Sequence, residues 1–159
     1  MAKPWQNHNV RLLILLDRSD NRRLGIRMES GRKMVVLVVE DHEDLLDILT
    51  RLVEALGFTV IRAKQGKEGV EKALKEKPHL ILMDILMPGM DGREATRRIR
   101  SNPTTRDIPI LAATVLNRES ELDACIEAGC NGWLVKPFTL KQLQGKIQEF
   151  IPTSSPTTH

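Results

Sequence analysis

The chain has 159 residues, 41% of them hydrophobic and 28% charged, a balance that fits a globular domain and excludes collagen, coiled coil and bulk disorder. The net charge is +3, but residues 1–27 carry six basic side chains against two acidic ones, so the rest of the chain is close to neutral and the basic balance does not argue for nucleic acid. The longest apolar run near the start, residues 12–16, falls far short of the roughly 20 residues a membrane span needs.

Residues 1–33 show no sustained hydrophobic period and read as a flexible basic N-terminal extension. From Met34 the pattern changes. Residues 34–39 form a continuous β-branched run, as in a parallel strand buried on both faces. Leu45, Leu46, Leu49, Leu52, Val53 and Leu56 then recur at helical spacing, and Gly57 stands at the C-terminal stop. Residues 58–61 read as a short strand, and residues 67–77 as a helix ended by Pro78. Residues 80–83 predict a third strand leading to Asp84, and a loop of Pro, Gly and Asp precedes a third helix that reaches about Arg100. Residues 108–113 predict the fourth strand, and residues 118–128 the fourth helix, with Asn117 as N-cap and Gly129 as stop. Residues 132–135 predict the fifth strand. Thr139 and Gln142 form a capping box that opens a last helix to about Phe150, and residues 152–159 read as a disordered tail.

Five strand–helix units in strict alternation predict an α/β fold, a five-stranded parallel doubly wound sheet of flavodoxin-like (βα)5 type in the order 2-1-3-4-5. Five strands are too few for a closed eight-stranded barrel. In an open sheet of this kind ligands bind at the carboxyl ends of the strands. Glu40 and Asp41 end the first strand, Asp84 the third, Thr114 the fourth and Lys136 the fifth. Three carboxylates crowded into one crevice repel one another and call for a hard cation, for which Mg²⁺ is the natural oxygen-liganded choice. Lys136 supplies a point charge for a phosphoryl oxygen and Thr114 a hydroxyl donor. Asp84 stands alone on its strand, whereas Glu40 and Asp41 are paired. It is therefore the candidate nucleophile for an acyl phosphate.

Four segments, residues 38–41, 81–92, 109–114 and 132–138, resemble the response-regulator receiver domains of two-component signalling, in order and in spacing. The resemblance implies a receiver over residues 34–151 and a phosphoprotein that takes phosphate from a histidine kinase or a histidine phosphotransfer protein onto Asp84 with Mg²⁺. It implies Asp41, Asp84 and the backbone carbonyl of Leu86 as metal ligands, with Glu40 acting through a metal-bound water. It further implies Thr114 and Trp133 as the switch pair, Lys136 as the phosphate-binding lysine, a cis bond before Pro137, and signalling to a downstream protein through the α4–β5–α5 face. Leu86 and Leu116 would flank the path of the hydrolytic water. On this reading the protein is a cytoplasmic stand-alone receiver with no nucleic acid or membrane partner, and not an enzyme. The alternatives are a receiver within a larger protein such as a hybrid histidine kinase, and a pseudo-receiver binding module. A Mg²⁺-dependent aspartyl-phosphate phosphatase would need an acid two residues after the nucleophile, where Leu86 stands. Cys125 and Cys130 read as reduced, partly buried thiols, and Arg93, Arg97, Arg98 and Arg100 as a solvated basic face. Three residues depart from the usual pattern: Glu40 replaces an Asp, Val115 is β-branched beside Thr114, and Trp133 replaces Tyr or Phe.

Overall fold

The computed structural model describes residues 33–151, so the readings made for residues 1–32 and 152–159 lie outside the described residues. The elements run β1 Val35–Val39, α1 Glu43–Ala55, β2 Thr59–Ala63, α2 Gly66–Glu76, β3 Leu80–Asp84, α3 Gly92–Ser101, β4 Ile110–Thr114, α4 Glu119–Ala128, β5 Gly132–Val135 and α5 Leu140–Phe150. All strands are parallel, in the order β2-β1-β3-β4-β5 that the alternation predicts.

The β-branched runs are explained by burial on both faces. In the central strands successive side chains enter opposite cores. Val36, Val38, Leu80, Leu82, Leu111 and Ala113 face one core with Leu46, Leu49, Leu52 and Val53 of α1 and Leu143 and Ile147 of α5. Leu37, Val39, Ile81, Met83, Ile110 and Ala112 face the other, with Ala73 of α2, Ala95 and Ile99 of α3, and Cys125 of α4. Cys125 and Cys130 are both buried and free, and desolvation pushes the Cys130 thiol up to about 11, so both sulfurs act as packing groups.

Most boundaries fall within two residues of those the sequence predicts, and the shifts have local causes. Phe58 precedes β2 because its N–H is held by the Val53 carbonyl at the end of α1. Ile108 precedes β4 because its N–H is taken by the Thr105 carbonyl and Pro109 has none to give. The N-cap of α4 is Arg118 rather than Asn117: the Arg118 N–H donates to the Glu121 carboxylate at 3.3 Å. The capping box at Thr139 and Gln142 forms as predicted, and so does the cis Lys136–Pro137 bond. The basic face of α3 needs correction. Arg97 and Arg98 are exposed and pair with Glu94, but Arg100 turns inward and bonds backbone carbonyls.

One close approach sets the geometry after β3. A Cβ on Gly92 would lie 2.2 Å from the Asp84 carbonyl oxygen, so only glycine lets α3 start there. Asp91 caps this helix, its carboxylate accepting the Glu94 N–H at 2.9 Å. Burial pushes the Asp91 carboxyl up, but that N–H and the Arg93 guanidinium outweigh it and leave the group below its ordinary value.

Candidate functional site

The carboxyl ends of β1, β3, β4 and β5 lie side by side and together deliver the predicted side chains, two after β1 and one each from the others. Glu40 directly follows β1, and its N–H continues the ladder to the Ala63 carbonyl at 3.0 Å. Its side chain is fully buried, with one carboxylate oxygen accepting the His42 N–H at 3.1 Å. Asp41 is half-buried beside it. Asp84 ends β3 and is 4% exposed. One oxygen from each of Glu40, Asp41 and Asp84 lies within 4.8 Å of the others.

Lys136 follows β5, where its N–H donates to the Thr114 carbonyl at 2.7 Å. That bond fixes the start of its side chain against β4. Its side chain is only 9% exposed, and its ammonium pairs with the second oxygen of Glu40 and lies 3.4 Å from Asp84 Oδ1. Thr114 ends β4, fully buried, and its Oγ1 accepts the Leu116 N–H at 3.1 Å. That oxygen therefore ties the loop after β4, while its hydrogen remains able to donate.

The structure thus brings together Glu40, Asp41, Asp84, Thr114 and Lys136. Leu86 sits half-buried in the loop two residues beyond Asp84. Trp133 lies on β5, paired in register with Ala112, and packs partly buried against the core that α2, α3 and α4 cover. His42 is the N-cap of α1 and makes no side-chain capping bond. The sequence reading missed the direct Glu40–Lys136 pair. The longer arm of Glu40, noted as a departure, is the one signal that bears on it.

Three carboxylates and one ammonium converge in a low-dielectric crevice, where like charges at such distances cost several-fold more than in water. The donor set is all oxygen, partly buried and open through half-buried Asp41, which fits a hard divalent cation. Among the described residues no helix is long and apolar enough to cross a membrane.

An open parallel sheet with these groups at its carboxyl edge defines a receiver-type domain. The chain belongs to the response regulator receiver domain family, which matches residues 36–148. The response regulator MprA of Mycobacterium leprae is 33% identical over 123 residues, 77% of this chain and 53% of MprA. The polar-differentiation response regulator DivK of Brucella anthropi is 30% identical over 116 residues, 73% of this chain and 94% of DivK. The receiver domain of a sensor histidine kinase from Pseudomonas aeruginosa, solved with a magnesium ion in its active-site cleft, is 32% identical. It superposes with a TM-score of 0.71 over 75% of this chain and 98% of that one. The chain spans about half the length of MprA and of several other relatives.

The crowding of like charges has a measurable consequence. Asp84→Asn removes one of three repelling carboxylates and should raise stability by about 1 kcal/mol. Lys136→Met leaves buried Glu40 without its counter-ion and should lower stability by about 3 kcal/mol. Urea unfolding without divalent cations reads both. A loss of stability in Asp84→Asn would show that repulsion does not dominate the crevice.

Proposed function

We propose that this chain is a phosphoryl-accepting receiver of a two-component or phosphorelay pathway, working in the cytoplasm as a stoichiometric acceptor rather than a turnover enzyme. The observation that carries the reading is the placing of Lys136 against both Glu40 and Asp84, with the Thr114 hydroxyl on the adjacent strand end. A carboxylate oxygen of Asp84 attacks the phosphorus of a phosphohistidine on a histidine kinase or a histidine phosphotransfer protein. The new O–P bond forms as the N–P bond breaks, and the imidazole, protonated on its other nitrogen, leaves neutral.

The ammonium of Lys136 holds one phosphoryl oxygen and the Thr114 hydroxyl donates to another. Glu40, Asp41 and Asp84 would hold Mg²⁺, with the Leu86 carbonyl as a further oxygen donor. The bound ion supplies positive charge to offset that of the phosphoryl oxygens. The output reading rests on the Thr114–Leu116 bond, on Trp133 at β5 and on Ile126 of α4, which is 41% exposed. They support a responding surface on α4, β5 and α5, where a downstream protein would bind. The reading holds whether the receiver acts alone or within a longer protein.

Incubation with acetyl phosphate and MgCl₂, followed by intact mass measurement, should add one phosphoryl group to the wild type and none to Asp84→Asn. An unchanged addition in the variant would place the phosphate elsewhere and remove the basis of the assignment.

The lifetime of the acyl phosphate follows from what can hold an attacking water. Leu86 and Leu116 are half-buried, two residues beyond Asp84 and Thr114, and neither side chain can hydrogen-bond a water. Catalysis by positioning then falls away, and hydrolysis should be slow. In purified phosphoprotein, Leu86→Asn or Leu116→Glu should speed phosphate loss by about tenfold, or about 1.4 kcal/mol of barrier. Equal decay in wild type and both variants would contradict this.

A further inference from the structure

Helix α4 is held unevenly along its length. Its buried side chains, Cys125 and Ala128, both lie in its C-terminal half. Glu119, Ser120 and Asp123 are exposed, and Glu121, Leu122 and Ala124 half-buried. Among the described residues, no side-chain hydrogen bond or ion pair ties residues 119–124 to another strand or helix. Glu121 turns back to the Arg118 N–H, and the loop before it is tied to Thr114 through the Leu116 N–H.

The other end of α4 is fastened by one guanidinium. Arg100, near the end of α3, donates from Nε to the Gly129 carbonyl at 2.9 Å and from Nη2 to Asn131 Oδ1 at 2.7 Å. Its Nη1 donates to the carbonyls of Arg106 at 2.8 Å and Ile108 at 2.7 Å. Asn131 in turn accepts the Ile110 N–H and donates its own to the Ile110 carbonyl, both at 2.8 Å. The stop of α4 and the starts of β4 and β5 therefore meet on one side chain. Every acceptor is a neutral oxygen, so the planar fork is used for its geometry, and a lysine ammonium cannot span the same four acceptors. Gly129 has φ +114°, and a Cβ there would lie 2.8 Å from Arg100 Cγ, which lets the guanidinium close against the helix end.

We propose that α4 is a lever hinged within its length, between Ala124 and Cys125, with Arg100 as the pin that holds its C-terminal half: residues 115–124 move with Thr114 while residues 125–131 stay fixed to the sheet. Arg100 is thus a positioning residue at the end of the fold opposite Asp84. It confines a rearrangement begun at Thr114 to the N-terminal half of a helix about 15 Å long. The link to Thr114 rests on the phosphoryl-accepting reading, whereas the uneven anchoring does not.

Amide hydrogen exchange on the full chain tests the hinge, in wild type, Arg100→Lys and Asn131→Ala. In wild type without ligand, residues 119–124 should exchange at least about tenfold faster than residues 125–131. In both variants the protection of 125–131 should fall about tenfold while β1 and β3 keep theirs. A second arm adds beryllofluoride with Mg²⁺. The response should stop short of Cys125 in wild type and extend through Asn131 in Arg100→Lys, an extension that a merely stabilising contact would not produce. Even protection along α4 in wild type, or 125–131 protection retained in both variants, would overturn the hinge. So would a wild-type response already running through Asn131. No response to beryllofluoride anywhere would count against the phosphoryl-accepting reading of Asp84, and the ligand-free comparison would still decide the hinge.

Discussion

One ammonium stands among three carboxylates at the carboxyl edge of the sheet, and the rest of the fold exists to keep them there. Glu40 is fully buried and Asp84 nearly so, yet both are held close to Asp41, whose charge repels theirs. Such an arrangement persists only where the scaffold outweighs the repulsion. Here the scaffold is a sheet with side chains packed into cores on both faces, so no strand can slip without moving its whole apolar set to the wrong side. The ladder bonds continue up to the functional residues: Glu40 bonds to Ala63, and Lys136 to Thr114, through the backbone.

The same arrangement makes the site responsive. A group that changes the charge on Asp84 must change what Lys136 and Thr114 hold. Thr114 is tied through its own oxygen to the Leu116 N–H, and so to the loop that leads into the sparsely buried N-terminal half of α4. A local charge event thereby meets an element able to rearrange, with the Arg100 cluster marking where the rearrangement ends.

The fold was legible because its signals are local and repeated. Each central strand is a short, mainly apolar run, and Gly57, Gly129 and the Thr139 capping box punctuate the helices. The candidate site was legible because every member ends a strand, and parallel topology sends all strand ends to one edge. What the sequence concealed depends on side-chain direction across long separations. Glu40 and Lys136 lie 96 residues apart, and which oxygen meets the ammonium is settled by packing. Arg100 looks in sequence like its neighbours Arg97 and Arg98. Only helix phase against the sheet turns it inward, onto carbonyl acceptors that leave no mark in a sequence. The N-cap at Arg118 was hidden for a similar reason, because the capping group is the Glu121 carboxylate three residues on.

If repulsion among the carboxylates at the sheet edge is the controlling constraint, a divalent cation should relieve it. The thermal unfolding midpoint, followed as MgCl₂ is raised to millimolar levels at constant ionic strength, measures this most directly. The account predicts that the wild-type midpoint rises with Mg²⁺ and that Asp41→Asn, which removes one of the three negative charges at nearly unchanged side-chain shape, flattens the rise. A wild-type midpoint that ignores Mg²⁺, or a rise of equal size in Asp41→Asn, would contradict it.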